Sequence, residues 1–360
     1  MAKVDLSDYG YVNARVRGMR SYLLTKDFFM RLVEADNFEA MHSMLEQTIY
    51  RREINEAILM HPERPDYDKA LSLNMIASFR KILDSTGGEA HELCEVLMSR
   101  YDVFNIKTIL RSKGGNATAS EALSLMIPVG AVKMDVLEKM AKAREVRDAI
   151  NVLISAQVKY GRALAAAYPE YQKKQDLAVL ELALDKFHYQ DNTSKLKGKG
   201  SNVEMTRQML VAEIDMRNIS TLVRIRGIKL DDDEVEALRI PGGSLAQDPF
   251  RALHRLGDIV QIVSEYPDPR TRKLLEKALA EYQEIDIVAF DKELEHEIIR
   301  RGAGMSNVDV LGIGVIIGYM FLKQNEMINL RVALRGRQMD RPQGDIKKDL
   351  FFVGTDEDDK

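Results

Sequence analysis

The chain repeats one helical phrase three times, and that repetition constrains the fold more than any other feature. The first copy is Asp102-Val103-Phe104-Asn105-Ile106-Lys107-Thr108-Ile109-Leu110-Arg111-Ser112-Lys113-Gly114. The second is Asp215-Met216-Arg217-Asn218-Ile219-Ser220-Thr221-Leu222-Val223-Arg224-Ile225-Arg226-Gly227, and the third runs Glu326-Met327-Ile328-Asn329-Leu330-Arg331-Val332-Ala333-Leu334-Arg335-Gly336-Arg337. The asparagines lie 218 − 105 = 113 and 329 − 218 = 111 residues apart. A second feature keeps the same register. Ile127-Pro128-Val129-Gly130 recurs as Ile240-Pro241-Gly242-Gly243, a shift of 240 − 127 = 113, and Leu125 recurs as Leu238. Two features sharing one offset argue for internal duplication. We expect three similar helical units at 1–115, 116–228 and 229–340, with 341–360 a short helical segment and an acidic tail. Asn13-Ala14-Arg15-Val16-Arg17-Gly18 is a worn copy of the phrase. A motif-like helix therefore opens the chain and a full motif nearly closes it. We expect the opening helix to dock beside the last unit and close three units into a ring.

Apolar residues recur at three- and four-residue spacing over 15–34, 38–59, 66–83, 91–112, 135–167, 170–189 and 271–300, and no stretch alternates between hairpin turns. The fold class is all-α. Breaks fall at 61–65, 87–88 and 114–116, and 302–304 reads as a turn. The Lys- and Gly-rich stretch 192–202 reads as a solvated connection; no Lys-Ser/Thr pair follows its glycines, so it is not a phosphate-binding loop. The most apolar run, 310–322, has thirteen residues, short of the about 20 that span a bilayer. It reads as a buried helix in which Gly312, Gly314 and Gly318 allow close approach. Residues 1–11 lack the pattern of a signal peptide.

On a helix, the motif's acid and its apolar residues cluster on one face, its Asn sits at that face's edge, and its late Arg points away. Asn13, Asn105, Asn218 and Asn329 are candidate structural joints where helical units meet. Arg15, Arg17, Lys107, Arg111, Lys113, Arg224, Arg226, Arg331, Arg335 and Arg337 are candidate partner-binding residues. If repetition gathers them, a chain of net charge −4 carries a local basic rim able to steer an acidic partner. The competing reading is an ordinary helix stop, with basic side chains complementing the dipole. The balance of charge gives no nucleic-acid signature over the whole chain.

No catalytic constellation is visible. The six histidines lack metal-ligand spacing, and His91-Glu92-Leu93-Cys94 lacks the second His of a zinc helix. The single cysteine, Cys94, reads as a small buried residue. Asp231-Asp232-Asp233-Glu234 reads as helix capping. We expect no cofactor and no metal.

The opening Tyr9-Gly10-Tyr11-Val12-Asn13-Ala14-Arg15-Val16-Arg17-Gly18-Met19, the repeated helix ends and the closing Gln324-Asn325-Glu326-Met327-Ile328-Asn329-Leu330-Arg331 carry a family resemblance. The chain resembles the C-type central-stalk proteins of archaeal and bacterial A/V-type ATP synthases, relatives of the d-type proteins of eukaryotic V-type ATPases. The resemblance covers the chain to about Val353. It implies a pseudo-threefold funnel with a central cavity, acting as a non-catalytic rotor part on the cytoplasmic side of the membrane. One end would sit on the proteolipid ring, and the cavity would receive the D and F proteins of the central shaft. It implies no bilayer span. Two other readings remain: a helical-repeat scaffold binding an acidic partner or RNA, and an all-helical enzyme with an enclosed site. The acidic end after Gly354 is foreign to the family pattern.

Overall fold

A computed structural model describes residues 7–63, 65–115, 117–281 and 287–354. It is helical, with no strand among the described residues. The expected acidic tail, 356–359, lies outside them, as do residues 1–6 of the opening segment.

After an opening helix α1 (Ser7–Arg20) come α2 (Lys26–Glu34), α3 (Phe38–Leu45), α4 (Arg51–Met60) and α5 (Tyr67–Leu83). A motif helix follows, interrupted at Ser99 into α6 (Gly88–Met98) and α7 (Arg100–Gly114). A short connector, α8 (Ala119–Ser124), leads to α9 (Met134–Lys142), α10 (Val146–Ser155), α11 (Tyr160–Lys174), α12 (Ala178–Lys195) and the second motif helix α13 (Ser201–Ile225). Connector α14 (Asp232–Leu238) leads to α15 (Gln247–Leu256), α16 (Ile259–Ser264), α17 (Pro269–Glu281), α18 (Ile287–Val308) and the third motif helix α19 (Ile313–Gln338). The chain then adds α20 (Gln343–Asp349). The helices keep the motif's register: α8 to α14, α9 to α15 and α10 to α16 are shifts of 232 − 119 = 113, 247 − 134 = 113 and 259 − 146 = 113. Both connectors open with a capping box, Thr118 with Glu121 and Asp231 with Glu234. The acidic run at 231–234 is thus spent on orphan N–H groups.

By packing, the chain divides into two compact units, Met1–Leu180 with Gly302–Lys360, and Glu181–Arg301. In the first, α19 is the central element and packs on α5, α1, α2, α6 and α20. Its apolar start, with Ile313, Ile316, Ile317 and Phe321 buried, gains about 1.5–3 kcal/mol for each large side chain removed from water. The amino-terminal helix does lie on the last motif helix. In the second unit, α14, α15, α16 and α17 pack in succession over Val235, Leu253, Ile262 and Leu275.

Several long periodic runs are shorter helices in the structure. The run 15–34 breaks after Arg20, and Thr25 caps α2 by accepting from Phe28 N. The run 38–59 breaks after Leu45, where the Thr48 hydroxyl donates to Leu45 O at 2.6 Å. The run 91–112 breaks at Ser99, whose hydroxyl donates to Val96 O at 2.7 Å. In each case a short polar side chain offers the backbone an alternative to the helix ladder. The stretch 302–304 is not a turn; it lies inside α18. A Cβ on Gly302 would fall in the Phe321 ring, and one on Gly318 would lie 2.7 Å from Ser306 Cβ. The α18 tail and the start of α19 meet as closely as the glycines allow. The buried helix begins at Ile313 rather than at Val310; Val310 and Leu311 are 52% and 68% exposed. No helix among the described residues is long and apolar enough to cross a membrane.

Candidate partner interface and the repeated joint

Each full motif places its Asn where a loop must be held. Asn105 Nδ2 donates to Ile127 O at 3.0 Å while Ile127 N donates to Asn105 Oδ1 at 2.9 Å. Asn218 makes the same pair with Ile240, at 2.9 and 2.8 Å. Asn329 makes it with Phe351, at 2.7 and 3.0 Å. A side-chain amide carries an acceptor oxygen and a donor nitrogen in one plane, so it mimics a strand neighbour for one peptide unit. All three are at most 1% exposed, so these bonds face no competition from water. The worn copy keeps half of this. Asn13 Nδ2 donates to Leu311 O and Gly312 O at 2.7 and 3.1 Å, and its Oδ1 has no partner among the described residues.

The motif's acid grips the next turn of the same loop. Asp102 accepts from Ala131 N at 3.0 Å and Val132 N at 2.9 Å. Asp215 accepts from Ser244 N at 2.8 Å and Ser244 Oγ at 2.6 Å. Burial pushes the Asp215 carboxyl up, and the Ser244 bonds only partly offset this. Gly130 and Gly243 are required beside these carboxylates: a Cβ on Gly130 would lie 2.5 Å from Asp102 Cγ, and one on Gly243 would press on Asp215 Oδ1.

The third joint is built from both ends of the chain. Glu326 Oε1 accepts from Leu24 N at 2.7 Å. Leu24 stands two residues before α2, as Val132 stands two before α9 and Leu245 two before α15. Phe351 thus supplies the first half of the loop and Leu24 the second. A buried cluster is added here: Lys323 Nζ donates to Glu326 Oε2 and to the Tyr50 hydroxyl, both at 2.7 Å, and Tyr50 donates to Glu326 Oε2 at 2.7 Å. Burial pulls Lys323 below its ordinary value against the attraction of Glu326, and pushes Tyr50 well up.

The candidate cations fall into distinct environments. Lys113 donates to Ala143 O at 2.7 Å and to Ala141 O, capping the carboxyl end of α9. Arg337 does the same for α2, donating to Ala35 O at 2.9 Å and Asp36 O at 3.3 Å. Arg226 turns back to Val223 O. Arg331 and Arg335 converge on Asp68, at 3.2 and 2.6 Å, and Arg224 pairs with Asp291. Lys107 is buried and Arg111 exposed. Arg15 donates to the Tyr11 hydroxyl at 3.2 Å, and Arg17 to Val310 O. Sequence reasoning missed Asp68, Asp291, Leu24 and the Lys323 cluster. Phe351 was within reach, since the Asn-to-loop step is 22 residues in all three joints.

Elsewhere among the described residues nothing assembles catalytic chemistry. Cys94 is buried, and burial pushes its thiol up to about 12. No group of three or more metal-ligating side chains occurs among the described residues. A cavity of ≈ 550 Å³ opens between α3 and α4, lined by His42, Glu46, Asn55 and Leu59 among others; its His42 is held by the Tyr67 hydroxyl.

Comparison with known protein families matches residues 12–349 to the family described as ATP synthase (C/AC39) subunit. Similar proteins include the C component of the A-type ATP synthase of Methanocaldococcus jannaschii, 25% identical over 93% of this chain and 84% of its own length. The corresponding A-type ATP synthase component of Haloferax volcanii is 29% identical over 98% of this chain and 100% of its own. That of Halorubrum lacusprofundi is 28% identical, again over 98% and 100%.

Proposed function

This chain belongs to the ATP synthase (C/AC39) subunit family, and from that premise we propose that it is the non-catalytic central-stalk subunit of an A-type ATP synthase. It couples the membrane proteolipid ring to a shaft made of the D and F proteins, so that torque passes between ion flow and ATP synthesis or hydrolysis. It sits on the cytoplasmic side of the membrane as a peripheral subunit and binds no cofactor.

The observation that carries this reading is the third joint. Two joints use continuous loops, and the third joins Phe351 and Leu24 to the same motif positions. A last repeat finished by the chain's own early residues is what a closed threefold funnel of units 1–115, 116–228 and 229–340 would require, and so supports that reading. Closure suits a coupling, because a closed body transmits twist without splaying. The motif arginines Arg111, Arg224 and Arg335 occupy one register and are the proposed shaft contacts. Arg224 and Arg335 keep 56% and 49% of their side chains exposed despite their ion pairs, so an acidic partner can compete for them at little cost.

The test is affinity capture from detergent-solubilised membranes. Recovery of the proteolipids with both shaft proteins is expected; recovery of neither overturns the proposal. Raising salt should release the shaft from the isolated chain, since exposed charge pairs are screened.

A further inference from the structure

One edge of α1 is committed to the chain and the other is not. Asn13 donates to Leu311 O and Gly312 O, Arg17 to Val310 O, and Arg20 to Ser306 Oγ at 3.1 Å. These residues are spaced i, i+4 and i+7, so one helical face pins the 306–312 segment. The opposite face carries Tyr11, Ala14, Arg15 and Gly18, all exposed, and Tyr22 just beyond the helix. The pinned loop presents aliphatic side chains outward: Val308 is 75% exposed, Val310 52% and Leu311 68%, with Tyr11 at 63%.

Two properties mark this patch. Arg224, Arg331 and Arg335 each meet an aspartate, whereas none of Arg15, Arg17 and Arg20 forms an ion pair with a carboxylate among the described residues. The tip holds one carboxylate, Asp309, whose Oδ1 accepts from Leu311 N and Gly312 N at 3.0 and 2.8 Å, so the three arginines outnumber it on a chain that is acidic overall. The aliphatic residues also stand on the tip of a connection rather than in a groove, and the cavity lined by His42 lies elsewhere, between α3 and α4. A projecting aliphatic tip, tyrosines at its margin and arginines beside it match the chemistry of a lipid interface. Aliphatic side chains enter the acyl boundary, tyrosine rings sit at the headgroups, and guanidinium groups meet phosphates.

We propose that the outward face of α1 and the 308–311 tip form a docking surface for an anionic bilayer. Loading is electrostatic and shallow; no segment crosses the membrane. The surface is independent of the rotor assignment, because it rests on α1 and its pinned loop and not on the shaft or the ring.

The test is vesicle flotation of the full chain. Phosphatidylglycerol vesicles are compared with phosphatidylcholine vesicles, at low and high salt. Binding is expected to the anionic vesicles alone and to fall with salt. The double variant Val310→Ser/Leu311→Ser removes the aliphatic tip without changing charge, and Arg15→Glu reverses charge without touching the tip. Each should weaken flotation by roughly tenfold or more while leaving thermal unfolding unchanged. No flotation, equal flotation on neutral vesicles, or indifference to both variants overturns the proposal. Absent flotation combined with variants that lose capture of the detergent-solubilised membrane sector would assign the surface to a protein partner, and this too overturns it. Failure of capture alone, with flotation intact, would count against the rotor reading only.

Discussion

Asn218→Ala tests the joint most directly, because both of its bonds go to one residue. In the wild type, Ile240 N and Ile240 O are each satisfied by the Asn218 amide, and Asn218 is fully buried. Alanine leaves one buried N–H and one buried C=O without their partner. Each orphaned group costs about 1–3 kcal/mol, so the joint should lose about 2–6 kcal/mol. If the loss is local, opening at Ile240 becomes easier by a factor of roughly 10³, taking about 4 kcal/mol and a factor of ten for each 1.4 kcal/mol. Hydrogen exchange reads this at one amide. Ile240 should lose most of its protection, while Ile127, held by Asn105 in the same manner, keeps its own. Asn218→Asp should be no milder. It keeps an acceptor for Ile240 N, but it places a second oxygen against Ile240 O and adds buried charge. Unchanged protection of Ile240, or a stability loss below about 1 kcal/mol by urea titration, would refute the account of the asparagine as a joint.

Four further outcomes follow from the geometry. Gly243→Ala drives a Cβ onto Asp215 Oδ1 and to 2.9 Å from Ile214 Cγ2, which should cost about 1–3 kcal/mol. Gly10→Ala, with nothing within 4 Å, should be neutral or slightly stabilising in the same melts. Lys323→Met strands Glu326 in the core and should cost about 3–5 kcal/mol, with part recovered in Lys323→Met/Glu326→Gln; a double-mutant cycle with no coupling would contradict the buried pair. Burial pushes Asp268 up, but bonds from Thr271 and the Arg301 charge outweigh it and hold the carboxyl below its ordinary value. Its folded-state pKa is depressed, so its contribution to stability is present above the unfolded value and is lost as pH falls through the folded one. Melts at pH 5 and pH 3 should therefore diverge less for Asp268→Asn than for wild type; identical pH dependence would show that Asp268 is not so held.

Helix content, duplication and the capped connectors could be read from periodicity and offset, because a 113-residue shift carries motif, loop and capping box together. The helix breaks at Thr48 and Ser99 could not. Their cause is a hydroxyl competing for a backbone carbonyl, which leaves the apolar pattern intact. Hydropathy overextends the buried helix to Val310 and Leu311 because it ranks residue types and not neighbours. What exposes those two residues is that Asn13 and Arg17 bind their backbone and turn their side chains out. The fate of the basic residues was also hidden. Lys113 and Arg337 look like ordinary helix ends, but the dipole they complement belongs to α9 or α2 rather than to their own helix. Asp68, which gathers Arg331 and Arg335 from more than 260 residues away, leaves no local trace.

The division of the third joint between the two ends of the chain also sets an order of events during synthesis. The first two joints can close as soon as residues 132 and 245 have left the ribosome, since each joins segments about 30 residues apart. The third cannot. Leu24 and the buried face of α2, with Phe29, Leu32 and Val33, await α19 and Phe351, which follow them by about 300 residues. At roughly 5–20 residues per second, the nascent chain carries that apolar face without its final partner for some tens of seconds. Helices α1 and α2 are thus made well before the helix that secures them, and a chaperone that holds the emerging chain would meet them while that apolar face still lacks its partner.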